Sequence, residues 1–395
     1  MKAVILAAGE GRRLRPFTET MPKVMLPVAN KPILEHVVDA LKNSGIDKVV
    51  IVVGYKKESI QEHFKYYTDV DIDFVTQEKQ LGTAHALLQA KEKIKDDFLV
   101  LSGDNIVDSD SILKLMEVES RYSMLIKKNP DPSKYGMVKV QNNILKNIVE
   151  KPIEETGKCF ISTGIYKFPS SIFDRIEKMI SEGVMDLSSV VQSLVKDKKQ
   201  VSVHKAGLWM DIVYPWDLID VNEVFIQDVS GSTGGSIEKN VVMKGPVSVG
   251  ADTKIYSGCY IVGPVVIGEG CEIGPNCCIF PSTVIGDNTV VRPFSEIRNS
   301  VVMNDVHIGS NSFLTHSVVG RDCFIGNNFS NLLGGTTVEV EEEYVKLDDV
   351  GVMIGENSEF ESHVVVEPGV IIGRNCQVDS LKKIDRKIDS DTKVM

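Results

Sequence analysis

The chain has 395 residues, 43% hydrophobic and 25% charged, a composition near the soluble globular average and unlike a disordered or collagen-like chain. At about 150 residues per domain, the length suggests two or three domains. Forty-four Lys and Arg against 55 Asp and Glu leave a net charge of −11, a field that repels polyanions and argues against nucleic acid as a partner.

The opening MKAVILAAGEGRR has too short an apolar run for a signal peptide or a membrane span. Seven cysteines without a CxxC pair fit a reducing compartment rather than a disulfide framework. A cytoplasmic protein with no membrane partner is therefore expected, and adjacent Cys277 and Cys278 read as small buried hydrophobes. From residue 1 to about 226, short β-rich runs alternate with helical periods: KAVILAA, ILEHVVDALKNSG, KVVIVVG, ESIQEHF. This rhythm predicts an α/β, Rossmann-like domain over residues 1–228 with a mixed, mainly parallel sheet. The helix starting near Ile33 puts Leu34, Val37, Val38 and Leu41 on one face, with Gly45 where a C-terminal cap belongs. After a helix predicted from Ala84 to Ile94, the run FLVLSGD ends in small and acidic residues, where an α/β sheet places ligands. Trp209 and Trp216 read as core.

VSGSTGGS, residues 229–236, has no apolar periodicity and reads as a linker. Beyond it the period becomes six: Ile237, Met243, Val249, Ile255, Ile261, Ile267, Ile273, Ile279, Ile285, Val291 and Ile297 follow one another without a break. The register is disturbed near Asn299 and returns at Ile308, Ile325 and Ile354. Hexapeptides of this kind predict a parallel β-helix over residues 237–380, with aliphatics stacked inward and glycines such as Gly250, Gly268 and Gly286 relieving the corners. The pattern resembles the left-handed β-helix family, whose members are usually trimers, which implies a homotrimer. Residues 336–349, TTVEVEEEYVKLDD, interrupt the coils as a loop, and the charged residues 381–395 form a tail that caps or frays.

The densest chemistry lies in the first turn, Leu6-Ala7-Ala8-Gly9-Glu10-Gly11-Arg12-Arg13-Leu14-Arg15-Pro16. Glycines let backbone N–H groups approach a phosphate, and the arginines add charge. The turn is neither a dinucleotide fingerprint, since Leu14 holds the third glycine position, nor a P-loop, since Gly-Lys-Ser/Thr is missing. Pro22-Lys23-Val24-Met25-Leu26-Pro27-Val28 and Lys31-Pro32 follow as a proline-pinned loop.

LAAGxGxRLxP followed by PKxMLPVxxKP resembles the sugar-1-phosphate nucleotidyltransferase family, and the resemblance covers most of the chain. It is nearest to the archaeal-type UDP-N-acetylglucosamine pyrophosphorylases that carry an acetyltransferase domain. It implies nucleotide binding by Leu6, Ala8, Gly9, Gly11, Gln77, Gly82 and Thr83, with Gln77 and Gly82 reading the base. Leu101-Ser102-Gly103-Asp104 and Trp209-Met210-Asp211-Ile212 are similar to the family's metal segments, implying Asp104 and Asp211 as Mg²⁺ ligands. Gly136, Glu150, Ser162 and Thr163 correspond to sugar-side positions, and Lys151 and Lys23 to residues near the sugar phosphate. Arg12 stands where the family usually has Thr, and Ser162 where it has Asn.

The chemistry asks for these residue types. A sugar-1-phosphate oxygen attacks the α-phosphorus of a nucleoside triphosphate in line, and pyrophosphate leaves. The nucleophile is already an anion, so what is needed is cations that hold two repelling anions together. Arg13 and Lys23 are the expected catalytic cations, with UTP and N-acetylglucosamine-1-phosphate or glucose-1-phosphate the expected substrates. Read singly, Asp104 could cap a helix, Glu150 could be a surface carboxylate, and His85 reads as packing.

In the archaeal-type relatives a histidine base for acetyl transfer to glucosamine-1-phosphate lies in a segment resembling His307–His316, and here Ser310 takes its place. A serine hydroxyl is too weak a base for that step, so the second domain is expected to trimerise or bind a regulator. A bifunctional enzyme and a non-catalytic nucleotide-sugar sensor are the alternatives.

Overall fold

The computed structural model describes residues 1–129, 135–150, 159–227 and 229–395, the Glu150 side chain excepted. It divides into two compact units: Met1–Glu10, Pro22–Met25 and Pro32–Asp211 form the first, and Gly11–Met21, Leu26–Lys31 and Ile212–Met395 the second.

The first unit is built on a nine-stranded sheet, in the order Asp71–Thr76, Lys48–Val53, Lys2–Ala7, Phe98–Ser102, Cys159–Phe168, Ser123–Asn129, Ser202–Lys205, Ile144–Glu150, Gly136–Gln141. The first four pair in parallel. Val49 to Val53 are all at most 1% exposed, as expected of strands covered on both faces. The helix Ile33–Asn43 buries Leu34, Val37, Val38 and Leu41 as its period predicts, and Gly45 follows at φ 80°, the left-handed stop that glycine adopts at least cost.

The sheet is mixed: beyond its first four strands only Ser202–Lys205 and Ser123–Asn129 pair in parallel and the other pairings are antiparallel, which corrects the expectation of a mainly parallel one. Cys159–Phe168 runs antiparallel to both of its neighbours. Gly136–Gln141 and Ile144–Glu150 form a hairpin, closed by Asn142 and Asn143 at φ 52° and 57°, the paired positive φ values of a turn that matches strand twist. The helix expected from Ala84 to Ile94 is shorter, Thr83–Leu88 with one 3₁₀ turn at Lys91–Lys93.

In the second unit three parallel sheets are visited in rotation: Val247–Val249, Lys254–Ile255 and Tyr260–Val262 each belong to a different sheet, and Val265–Ile267 then pairs with Val247–Val249. This is the topology of a parallel β-helix. The hexad aliphatics from Ile255 to Ile297 point inward, each at most 1% exposed, and burying each contributes roughly 1.5–3 kcal/mol.

Four local expectations change. The glycine-serine segment is not purely a linker, because Ser232–Thr233 and Ser236–Ile237 already pair with Val247–Val249 and Lys254–Ile255. The charged tail is not a tail, since Lys383–Ile384 and Lys393–Val394 extend two of the sheets; alternate charged side chains face out while Ile384 is 5% exposed. Residues 336–349, expected as a loop that interrupts the coils, do leave the three coil sheets, and they do so in a regular hairpin of Gly334–Val340 and Glu343–Val350. The hexad glycines answer to stacking rather than to φ: a Cβ on Gly250 would lie 2.5 Å from the Gly268 carbonyl carbon of the next coil. The left-handed corners are taken instead by residues such as Asp252, Asn276 and Asn288, whose short polar side chains tolerate that region. All seven cysteines are free thiols, and Cys259, Cys271, Cys277, Cys323 and Cys376 are buried.

Candidate active site

The strand Phe98–Ser102 ends in Gly103, whose N–H donates to the Leu6 carbonyl at 2.9 Å. A Cβ there would lie 3.1 Å from Ala7, Ile5 and Leu6 atoms, so a larger residue would push the following carboxylate out of place. Asp104 comes next. Asn105–Val107 then pairs antiparallel with Trp209–Asp211, with Asp211 directly opposite Asn105. A two-stranded ribbon thereby brings together two acids separated by more than a hundred residues.

Lys23 joins them. Its Nζ donates to Asp104 Oδ2 at 2.6 Å and to Asp211 Oδ1 at 3.0 Å, and Ser102 Oγ donates to Asp104 Oδ1 at 2.6 Å. Burial works to lower the Lys23 pKa, but the two carboxylates together raise it above the ordinary value of 10.5. Burial likewise opposes the Asp104 charge, yet the Lys23 ammonium and the Ser102 hydroxyl hold its pKa below the ordinary value of 3.8. Lys23 and Asp104 are therefore both charged near neutral pH. No cluster of three or more His, Cys, Asp or Glu is gathered for a metal among the described residues. Two oxygens aimed at one cation position do fit Mg²⁺, which commonly takes one or two carboxylates and completes its shell with water and phosphate.

Gln77 is 3% exposed, and its Nε2 donates to the Gly82 carbonyl at 3.2 Å and to His85 Nδ1 at 2.9 Å. Gly82 is solvent-exposed at φ 140°, and a Cβ on it would lie 2.4 Å from the Met185 carbonyl. The Thr83 hydroxyl accepts from Leu187 N–H at 2.9 Å, so it braces the segment. Gly54 and Tyr55 were not foreseen: a Cβ on Gly54 would meet the Ala8 carbonyl at 2.8 Å, and Tyr55 N–H donates to that carbonyl at 3.1 Å. Only the contact itself marks that glycine out. Gly9 has open space around its Cβ direction, which leaves its backbone uncovered.

On the sugar side, the strand Cys159–Phe168 is bulged between Ser162 and Tyr166. A Cβ on Gly164 would approach Asn105 Oδ1 at 3.7 Å and Ser102 Cβ at 3.8 Å, so the bulge abuts the strand end that carries Asp104. Ser162 Oγ lies 3.0 Å from the Tyr166 hydroxyl. Thr163 is 1% exposed, and its hydroxyl donates to the Leu125 carbonyl at 2.8 Å. Gly136 pairs with Glu150, and Tyr135 packs edge-on to Trp209 with centroids 5.6 Å apart. Lys151 and the Glu150 side chain lie outside the described residues.

Arg13 belongs to the second unit. It follows Gly11, left-handed at φ 77°, and its Nη2 donates to Glu343 Oε1 at 2.8 Å. The other Glu343 oxygen accepts from the Tyr214 hydroxyl at 2.8 Å. On the β-helix, Ser310 N–H donates to Asn327 Oδ1 at 2.8 Å. It lines a hollow of about 690 Å³ with His307, Arg292 and Phe324 among others. His307 stacks on Phe324 at 4.8 Å, and burial, then Arg292, lowers its pKa.

An α/β unit with a cation and two acids at its strand ends, joined to a hexapeptide β-helix, defines the class: a transferase fold carrying a repeat domain. Residues 2–228 match the Nucleotidyl transferase family model, and residues 261–350 match the GMPPB C-terminal domain. The Bifunctional protein GlmU of Methanococcus vannielii is 36% identical over 99% of this chain and 97% of its own length. The protein of the same name from Methanococcus maripaludis is 40% identical over 99% and 96%. A bifunctional sugar-1-phosphate nucleotidylyltransferase/acetyltransferase of Sulfurisphaera tokodaii is 33% identical over 96% of both chains. The chain belongs to the nucleotidyl transferase family and is an enzyme, a nucleotidyltransferase.

Proposed function

We propose that the enzyme joins a nucleoside triphosphate, preferentially UTP, to N-acetylglucosamine-1-phosphate or glucose-1-phosphate and releases pyrophosphate. The observation that carries this reading is the Lys23 ammonium held between Asp104 and Asp211. One phosphate oxygen of the sugar ester attacks the α-phosphorus, the α–β bridging bond breaks, and pyrophosphate departs with its electron pair. No proton has to be removed from the nucleophile.

Lys23 turns from the carboxylates to the sugar phosphate, and Arg13 grips the triphosphate; both cations lower the repulsion between the reacting anions. Gln77 and Gly82 hold the base. Leu6, Ala8, Gly9 and Gly11 shape the turn along the phosphates, and Gly136, Glu150, Lys151, Ser162 and Thr163 face the sugar. Asp104 and Asp211 would hold Mg²⁺, which when bound supplies positive charge to the phosphate oxygens. In this reading residues 1–228 are the catalytic domain and the β-helix is left-handed. A homotrimer through its coils is supported by Phe294 and Phe324, 63% and 49% exposed. The free thiols support a cytoplasmic setting.

Pyrophosphate release with Mg²⁺, measured across UTP, dTTP, GTP and CTP against a panel of sugar-1-phosphates, tests the reading. A strong signal with UTP and one of the two named sugars upholds it, and a folded protein inactive with every pair removes it.

The full-length match to proteins named bifunctional supports a second reading, acetyl transfer on the β-helix. There His307, a neutral imidazole in the hollow that Ser310 lines, would accept the amine proton. Thiol release from acetyl-CoA with glucosamine-1-phosphate, present in the wild type and lost in His307→Asn, is the expected result; no release from the wild type ends this reading.

A further inference from the structure

The orientation of the Gln77 amide is decided by its neighbours. Its Nε2 lies 3.2 Å from the Gly82 carbonyl oxygen, which can only accept, so the amide nitrogen must face it. The same nitrogen lies 2.9 Å from His85 Nδ1, which therefore also accepts. Both N–H directions of the amide are thus taken up inside the protein, and Oε1 is the atom left to meet a ligand. Gln77 is buried on the strand side, its own N–H donating to the Val53 carbonyl at 2.8 Å, whereas Gly82 and Thr83 are exposed.

An outward-facing amide oxygen selects a base edge that donates. Uracil and thymine offer a ring N3–H there; cytosine offers an unprotonated N3, and two acceptors face to face leave a polar group unpaired. Were the amide turned over, its NH₂ would suit cytosine instead. His85, on the first turn of the helix Thr83–Leu88, reinforces the orientation that the Gly82 carbonyl sets, because in the tautomer with Nδ1 unprotonated it offers the amide NH₂ a second acceptor.

We propose that His85 is a positioning residue for base selection, fixing the Gln77 amide so that its oxygen accepts from an imide N–H of the nucleotide base. The proposal rests on the reading of Gln77 as the base contact. His85 touches no reacting atom, and its effect reaches the substrate through Gln77.

The test is pyrophosphate release by the full-length enzyme with UTP and CTP, for wild type, His85→Leu, His85→Asn and Gln77→Met, with thermal unfolding of each. Asn carries an acceptor close to the place of Nδ1, so His85→Asn should keep the wild-type ratio of kcat/KM for UTP over CTP. His85→Leu, lacking any acceptor, should raise the KM for UTP about tenfold, equivalent to one hydrogen bond, leave kcat little changed, and narrow the UTP preference by a similar factor. Combined with Gln77→Met it should add nothing further. An unchanged ratio in His85→Leu while Gln77→Met loses discrimination overturns the positioning role alone. If Gln77→Met also keeps the wild-type ratio, Gln77 is not the base contact and both readings fall.

Discussion

Glu343 accepts a hydrogen bond from Arg13 at 2.8 Å across 330 residues of chain. The acid stands just after the hairpin turn Glu341-Glu342, within the acidic run Glu339-Val340-Glu341-Glu342-Glu343. Its geometry is firm because Tyr214, 2% exposed, stacks on Trp216 at 5.0 Å and donates to the second oxygen. Burial and then that carboxylate push the Tyr214 phenol up to about 12, so it remains a donor. A carboxylate on the arginine assigned to the triphosphate competes with it. Glu343→Gln should lower the KM for the nucleotide roughly three- to tenfold, about 0.7–1.4 kcal/mol, and Arg13→Ala should raise it. Steady-state kinetics decide the matter; a raised KM in Glu343→Gln would mean that the acid aids binding.

Asp104→Asn and Asp211→Asn each keep the shape of the site while removing a charge from the pair that faces Lys23. Turnover should fall by at least about a hundredfold with the circular dichroism spectrum unchanged. Lys23→Met should also lose turnover, yet it frees both carboxylates. Binding of Mn²⁺ in the absence of substrate, followed by paramagnetic resonance, should therefore tighten in Lys23→Met and weaken in Asp104→Asn. Equal affinity in all three proteins would count against a shared cation position.

Asp108 caps the helix Ser109–Met116, accepting from Ser111 N–H at 2.7 Å, and also accepts from Leu208 N–H at 2.6 Å. It thus fastens the start of the ribbon that carries Asp211. Burial opposes its charge, but the hydrogen bonds from Ser111 and Leu208 outweigh it and hold the pKa below the ordinary 3.8. With the folded pKa depressed, the contribution is present above 3.8 and is lost as pH falls through the folded value. Asp108→Ala should cost about 1–2 kcal/mol at pH 7, the worth of a cap. Denaturant melts should show the gap to wild type closing below about pH 4; a gap independent of pH would exclude the ionised cap as its source.

Gly82→Ala places a Cβ 2.4 Å from the Met185 carbonyl at φ 140°. Backbone strain of this sort costs about 1–3 kcal/mol, so a lower melting midpoint and a raised nucleotide KM should appear together. A variant with unaltered midpoint would mean that the loop adjusts without strain.

The β-helix is legible because its code is local: every sixth side chain points inward, so the period can be counted before any contact is known. The αβ rhythm and the cap at Gly45 are local in the same sense. The hairpin at Glu341-Glu342 was hidden because no Gly or Asn-Gly marks its turn, and the paired coils after Leu381 were hidden because their outward residues are charged and mask the few inward aliphatics. Thr163 shows what a motif leaves out, since only the folded chain reveals that its hydroxyl donates to the Leu125 carbonyl.

By itself the sequence determined the repeat, the alternation of strand and helix, and the residue types able to handle phosphate, because period and composition act within a few residues. Tertiary structure alone decided that Asp104, Asp211 and Lys23 share one point, that Arg13 meets Glu343, and that the Gln77 amide nitrogen lies against His85, a contact no spacing reveals. Charges distant in sequence become neighbours through strand register and chain docking, and electrostatic and hydrogen-bond energies depend on distances of a few ångströms, which only the folded chain sets.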